Sequence, residues 1–216
     1  MDFLFRHFPA YRIHSSKRLD RKRIMDLWPS KIQEVEAIMK PNPFQGCFES
    51  HQLVASFAEE YLVLEDDAVP APFDLLALGR LLEDYKEFDI VYLGGLPVWG
   101  ATRVKSLYEG KCMGTYAMIV RKRARDMILN LKFRNKGIDE ELTLLNIRTA
   151  FCDPPFFVQS NTVSDIGSNS FTKSQLFADI LYVVNPFWRK FIIHKKTLLV
   201  LLFIFFICIK SRRTRL

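Results

Sequence analysis

The chain has 216 residues, enough for one α/β domain with a buried core and short for two. Its 49% hydrophobic and 25% charged residues exclude a disordered or low-complexity protein. The net charge of +7 belongs to one end: residues 187–216 hold eight Lys or Arg and no acid, leaving 23 basic against 24 acidic residues elsewhere, which argues against a nucleic-acid-binding body.

Residues 10–14 read as a short strand that ends in His14, Ser15 and Ser16. A charged helix is expected over residues 20–27 and is broken at Pro29. Residues 31–39 form a second amphipathic stretch, closed by the breakers Pro41, Asn42 and Pro43. Cys47, Leu53, Val54, Phe57 and Ala58 recur at helical period across residues 46–60. The continuous apolar run 61–64 predicts a buried parallel strand, stopped by Glu65, Asp66 and Asp67. After Pro70 and Pro72, a helix is expected over 73–86 and a second buried strand over 89–93, ending in Gly94 and Gly95. Residues 96–114 read as loop or hairpin. A strand over 116–120, helices over 123–131 and 138–147, and a strand over 149–152 complete the pattern. Strands alternating with helices predict an α/β sandwich of Rossmann type with a mostly parallel sheet.

The acidic cluster is the chemical centre of this pattern. Ligands of open α/β sheets bind at the carboxyl ends of strands. Three carboxylates there need a counter-charge, because a buried unpaired carboxylate costs several kcal/mol. A divalent cation supplies one, and oxygen ligands suit Mg²⁺ or Mn²⁺, which also bridge phosphates. Glu65 and Asp67, two apart in extended chain, point to the same side. A solvated acidic turn after a strand has the same sequence and stays an open alternative.

Further segments sharpen this reading. Gly46, Cys47, Phe48, Glu49, Ser50 and His51, followed a helix's length later by residues 61–67, resemble the paired motifs of glycosyltransferase family 25, which contains bacterial lipopolysaccharide glycosyltransferases and collagen galactosyltransferases. Arg12 and Ile13, followed by Lys17, Arg18, Leu19, Asp20 and Arg21, look like that family's first strand and basic donor-side turn. Residues 89–95 resemble its aspartate, apolar strand and double glycine, and residues 114–120 its glycine-threonine strand. Residues 138–142 resemble its aspartate at a helix start. Residues 154–159 with Ser164, Asp165 and Ile166 resemble its closing segment. The resemblance covers roughly residues 10–167. Two features depart from it: the stretch from Arg21 to Gly46 is short, and His14 and Ser15 stand where the family has asparagine and leucine.

The resemblance implies a GT-A-like fold and metal-dependent, inverting chemistry: a hexose passes from a nucleotide sugar such as a UDP-hexose to a hydroxyl on a glycan, lipid-linked or protein acceptor. Asp67 is expected to hold Mn²⁺ (or Mg²⁺), with Asp165 completing the metal site or capping a turn. Glu65 and Asp66 would orient the metal or contact the ribose, Arg18 and Arg21 would meet the diphosphate, and Gly94 and Gly95 would let backbone approach the donor. Asp139, with Glu140 second, is the expected base for the acceptor hydroxyl. Each has a plainer alternative: a solvated basic face for the arginines, an ordinary turn for the glycines, a helix-start acid for Asp139. His51 reads more readily as a structural histidine. A phosphohydrolase with an Asp nucleophile would want D-x-D followed by Thr or Val, which Asp66, Asp67, Ala68 and Val69 do not supply. A catalytically degenerate, membrane-attached interaction protein on the same fold is the alternative from another class.

Two domains of unlike character are expected: residues 1–186 as the transferase body and 187–216 as a basic, apolar tail. Residues 198–209 are twelve uninterrupted apolar residues between Lys195, Lys196 and Lys210. As a helix this run is roughly 18 Å long against a hydrocarbon core of about 30 Å, so spanning and interfacial placement are both open. The four cysteines are scattered without a C-x-x-C pair, and the start MDFLFRHFPAYR shows no cleavage signature. The expected setting is cytoplasmic and membrane-associated.

Overall fold

The structure is a computed structural model and describes residues 4–21, 31–72, 74–98 and 100–160. The helix expected over 20–27 falls largely outside them, as do Asp165 and the 187–216 tail; a 3-10 turn at Leu19–Arg21 is what is seen of the former. Among the described residues, no helix is long and apolar enough to cross a membrane.

A short helix α1 (Leu4–His7) leads into strand β1 (Ala10–His14). Strand β2 (Gln33–Glu36) follows, then helix α2 (Pro43–Ala55), strand β3 (Tyr61–Glu65) and the short β4 (Ala68–Pro70). Helix α3 (Leu75–Asp84) precedes β5 (Ile90–Tyr92). The next stretch is built from β6 (Leu96–Pro97), β7 (Thr102–Val104), β8 (Leu107–Glu109) and β9 (Cys112–Met113). Then come β10 (Ala117–Val120), helices α4 (Lys122–Asn130) and α5 (Ile138–Leu144), and strands β11 (Thr149–Phe151) and β12 (Phe157–Gln159).

The central sheet has eight strands in the order β2-β1-β3-β10-β5-β11-β8-β7. Six run in one direction, and only β10 and β8 oppose them. The expected α/β sandwich with a mostly parallel sheet is therefore present, with β10 as its reversed member. The reversal has a topological cause. A parallel return needs a crossover, usually a helix, and residues 93–116 contain only short strands, including the β7–β8 hairpin.

Helices cover both faces. Tyr61 and Val63 of β3 pack with Phe48 and Val54 of α2, Ile128 of α4 and Leu142 of α5, whereas Leu62 and Leu64 pack with Leu4 of α1 and Leu78 and Leu81 of α3. All four β3 residues from Tyr61 to Leu64 are 0% exposed, which is why the strand is apolar without alternation.

One stretch departs from its sequence pattern. Residues 31–39 space Ile32 and Val35 as on one helical face, yet 33–36 form edge strand β2, parallel to β1 with Val35 opposite Ile13. Pairing with β1 supplies backbone partners that outweigh the local periodicity. The Pro41–Asn42–Pro43 breaker also begins an element: Asn42 caps α2 by accepting from Phe44 N at 3.0 Å, with Pro43 in the first turn.

Candidate functional site

Parallel strands β1, β2 and β3 end side by side, and the chain after each turns into a shared cleft. The cleft, of about 160 Å³, is walled by Ser15 and Arg21 after β1, by residues 37–40 after β2, by α2, and by Glu65, Asp66 and Asp67. Helix α2 lies close against the exit of β2. A Cβ at Gly46 would stand 2.4 Å from the Ile38 carbonyl oxygen, so only glycine allows the approach. Ser50 fastens the contact by accepting from Ile38 N at 2.8 Å and donating to Gly46 O at 2.7 Å. The other residues of the motif have their own tasks: Phe48 enters the core, and Cys47 and His51 face the end of β3.

The three acids are not equivalent. Asp66 is buried and compensated, its Oδ1 ion-paired with the Arg21 guanidinium and its Oδ2 accepting from Ser15 N at 3.3 Å. Glu65 Oε1 accepts from the Thr115 hydroxyl at 2.7 Å and meets His51 Nε2 at 3.1 Å. Burial works to raise the Glu65 pKa, but the His51 contact and charge and the Thr115 hydroxyl take it below the usual value. Asp67 is the least compensated member. Its Oδ2 accepts from Gln159 Nε2 at 3.0 Å and lies 3.6 Å from Arg21, while its Oδ1 is buried without a hydrogen-bond partner. Burial, reinforced by the Glu65 charge, pushes Asp67 up to about 7 against the opposing pull of Arg21.

Two of the three carboxylates thus obtain their counter-charge from the protein, where the sequence pointed to a divalent cation or, as the open alternative, to solvent. Arg21 and His51 do this work, and one oxygen of Asp67 remains. A single buried carboxylate oxygen beside a cleft fits Mg²⁺ or Mn²⁺, which bind through one or two carboxylates and complete their shell with water and substrate phosphates.

The other expected residues are placed as follows. Arg18 hydrogen-bonds Asp20 through Nε at 2.9 Å and Nη2 at 2.8 Å and does not line the cleft; these hydrogen bonds first of all, with the Arg18 charge behind them, take Asp20 down to about 2. Gly94 and Gly95 are occupied by protein. A Cβ at Gly94 would meet Tyr116 Cε2 at 2.4 Å and Phe157 O at 2.5 Å, and Gly95 has φ +133 with Cys112 Sγ at 2.7 Å. Their role in the structure is close packing and a turn, and neither lines the cleft. Asp139 is half-buried at the start of α5, where Oδ2 accepts from Gly114 N at 3.3 Å and Oδ1 from Glu140 N at 2.9 Å. It is close enough to Cys47 to add to the rise of that thiol, which is due first to burial and next to the Glu65 charge. Glu140 is exposed.

Residues that sequence reasoning did not single out complete the cleft. Gln159 arrives because β12 pairs antiparallel with β4, placing Gln159 opposite Ala68, next to Asp67. Ser160 N donates to Asp67 O at 2.7 Å and closes the same contact. The only trace of this in the sequence was membership of the closing segment 154–159. Thr115 was visible only as part of the 114–120 strand, and His51 was read as structural.

No protein-family model matches the chain, and no curated protein matches it. Solved structures similar to it include HddC from Yersinia pseudotuberculosis, at 10% identity and a TM-score of 0.41, over 65% of this chain and 66% of that one. The match thus spans just under two thirds of HddC, a protein also determined in complex with GMP-PN. A197 from STIV is similar at 15% identity and a TM-score of 0.41, over 73% of this chain and 97% of that one. A glycosyltransferase involved in the glycosylation of the major capsid of PBCV-1 is similar at 12% identity and a TM-score of 0.33, over 56% and 64% of the two chains.

Proposed function

We propose that the chain is a metal-dependent glycosyltransferase of GT-A-like fold, related to glycosyltransferase family 25, that moves a hexose from a nucleotide sugar to a hydroxyl acceptor with inversion. The observation that carries the reading is Asp67: a buried carboxylate with one unpartnered oxygen, at the carboxyl end of a central strand, in a cleft it shares with Arg21. The order and spacing of the family-like motifs support it, since Gly46, Ser50, Glu65 and Asp67 all build that one cleft.

In this reading Asp67 would hold Mn²⁺ or Mg²⁺ through its unpartnered Oδ1. Such an ion would supply Lewis-acid stabilisation of the negative charge on the leaving nucleotide. Arg21 is within reach of the same phosphates, and Asp66, held by Ser15 N, keeps Arg21 positioned at the cleft floor. The acceptor oxygen attacks the anomeric carbon, the bond from that carbon to the diphosphate oxygen breaks, and the electron pair leaves with the diphosphate. The hydroxyl proton passes to Asp139, the proposed base. Attachment to a membrane through residues 187–216 belongs to the same reading, supported by the apolar run 198–209 between basic residues.

The test is calorimetric titration of the full-length chain with UDP-, GDP- and CMP-sugars, in Mn²⁺ and in chelator. One nucleotide class should bind with Mn²⁺ and weaken at least ~10-fold in chelator, with Asp67→Ala reproducing the loss. Binding of no sugar nucleotide under either condition overturns the reading. Metal-dependent binding without donor hydrolysis or transfer instead returns the degenerate interaction protein.

A further inference from the structure

The cleft holds a second set of metal-ligating groups, distinct in chemistry from Asp67. Helix α2 carries Cys47 and His51 one turn apart, so both side chains face the same direction. That direction is the end of β3, and one ligand atom each of Cys47, His51 and Glu65 lies within 4.8 Å of the others. His51 is 1% exposed, with Nε2 at 3.1 Å from Glu65 Oε1 and Nδ1 buried without a hydrogen-bond partner. Neither tautomer satisfies both ring nitrogens here. Cys47 is half-buried on the cleft wall, and the structure gives its thiol no disulfide.

We propose that Cys47, His51 and Glu65 form a binding site for a thiophilic divalent cation, Zn²⁺ in the first instance. A thiolate and an imidazole select Zn²⁺ over Mg²⁺ or Mn²⁺, which prefer an all-oxygen shell. Tetrahedral zinc with bonds of about 2.0–2.3 Å sets its ligand atoms roughly 3.3–3.8 Å apart. The His51–Glu65 pair is already close to that spacing, and rotation of Cys47 closes the rest. Binding replaces the S–H bond of Cys47 with a Zn–S bond and releases its proton to solvent. Three protein ligands with the cleft on the fourth side match a zinc site that keeps an exchangeable position. The inference does not depend on the transferase reading, because Asp67 is not among the ligands.

The test uses the full-length chain, stripped with chelator, and Co²⁺ as a spectroscopic probe. One Co²⁺ per chain should give a thiolate-to-metal band in the near ultraviolet that Zn²⁺ bleaches. In the unmodified chain, Zn²⁺ should slow alkylation of Cys47 by iodoacetamide at least ~10-fold, followed by mass spectrometry, while Mg²⁺ does not. Cys47→Ser, a change of one atom, should abolish the band and weaken Zn²⁺ at least ~100-fold, whereas Asp67→Ala should leave the band in place. A Co²⁺ complex without a thiolate band overturns the proposal. So does a band that survives Cys47→Ser, or alkylation that Zn²⁺ leaves unchanged.

Discussion

Replacing Asp67 with Asn removes the carboxylate in the cleft that the protein compensates least, through Arg21 at 3.6 Å alone. Burial and the Glu65 charge raise this group from its ordinary 3.8 to about 7 in the folded chain. A carboxyl with a raised folded pKa binds its proton more tightly when folded. Its contribution to stability is therefore complete below about pH 3.8 and is lost as the pH rises through about 7. Above pH 7 the ionised group costs the fold about 4 kcal/mol. Asn removes that cost and keeps an oxygen for Gln159 Nε2. It also leaves a buried amide N–H where Oδ1 was, at about 1–3 kcal/mol. The net expectation at pH 8 is that Asp67→Asn is more stable than the parent by about 1–3 kcal/mol. At pH 4 the advantage should vanish or reverse. Urea unfolding of both chains from pH 4 to pH 9, in chelator, measures the gap. A mutant no more stable than the parent at pH 8, or a gap independent of pH, refutes the placement of a poorly compensated buried charge at Asp67. Addition of Mn²⁺ at pH 8 should narrow the gap by stabilising the parent alone.

Arg21 has the opposite role, so Arg21→Met should leave Asp66 and Asp67 without their shared counter-charge and destabilise the fold by about 3–5 kcal/mol; a loss under 1 kcal/mol in urea unfolding would show that the pair is dispensable. Gly94→Ala should cost about 1–3 kcal/mol, because its Cβ has no room between Tyr116 and Phe157; an unchanged melting temperature contradicts that packing. Asp139→Asn should lower transfer by about 10²–10⁴-fold with donor affinity within a few-fold, the signature of a base acting in the transition state. Collapse of donor affinity instead would move Asp139 from the base to the donor site.

Part of this molecule is determined by the sequence alone. The apolar runs 61–64 and 90–93 are long enough and continuous enough to be buried on both faces, and both form central strands. That burial forces the acids after Leu64 to the strand end, where water or a ligand can reach them, so the position of the cleft follows from hydrophobicity and strand period. The glycine at position 46 and the serine at position 50 are legible as a motif for the same local reason, since they lie four apart on one helical face. The partners of the acids were not legible. Arg21 reaches Asp66 across 45 residues, Gln159 reaches Asp67 across 92, and His51 meets Glu65 only because α2 packs over the end of β3. The same holds for residues 31–39, whose helix-like spacing yields to pairing with β1. Local sequence fixes what must be buried, through transfer free energy and backbone period. Which charge neutralises which depends on where distant elements converge, and a carboxylate's pKa depends on that environment rather than on its neighbours in the chain. Tertiary structure therefore decided that Asp66 is paired, that Glu65 is held low, and that Asp67 alone is left with an open oxygen.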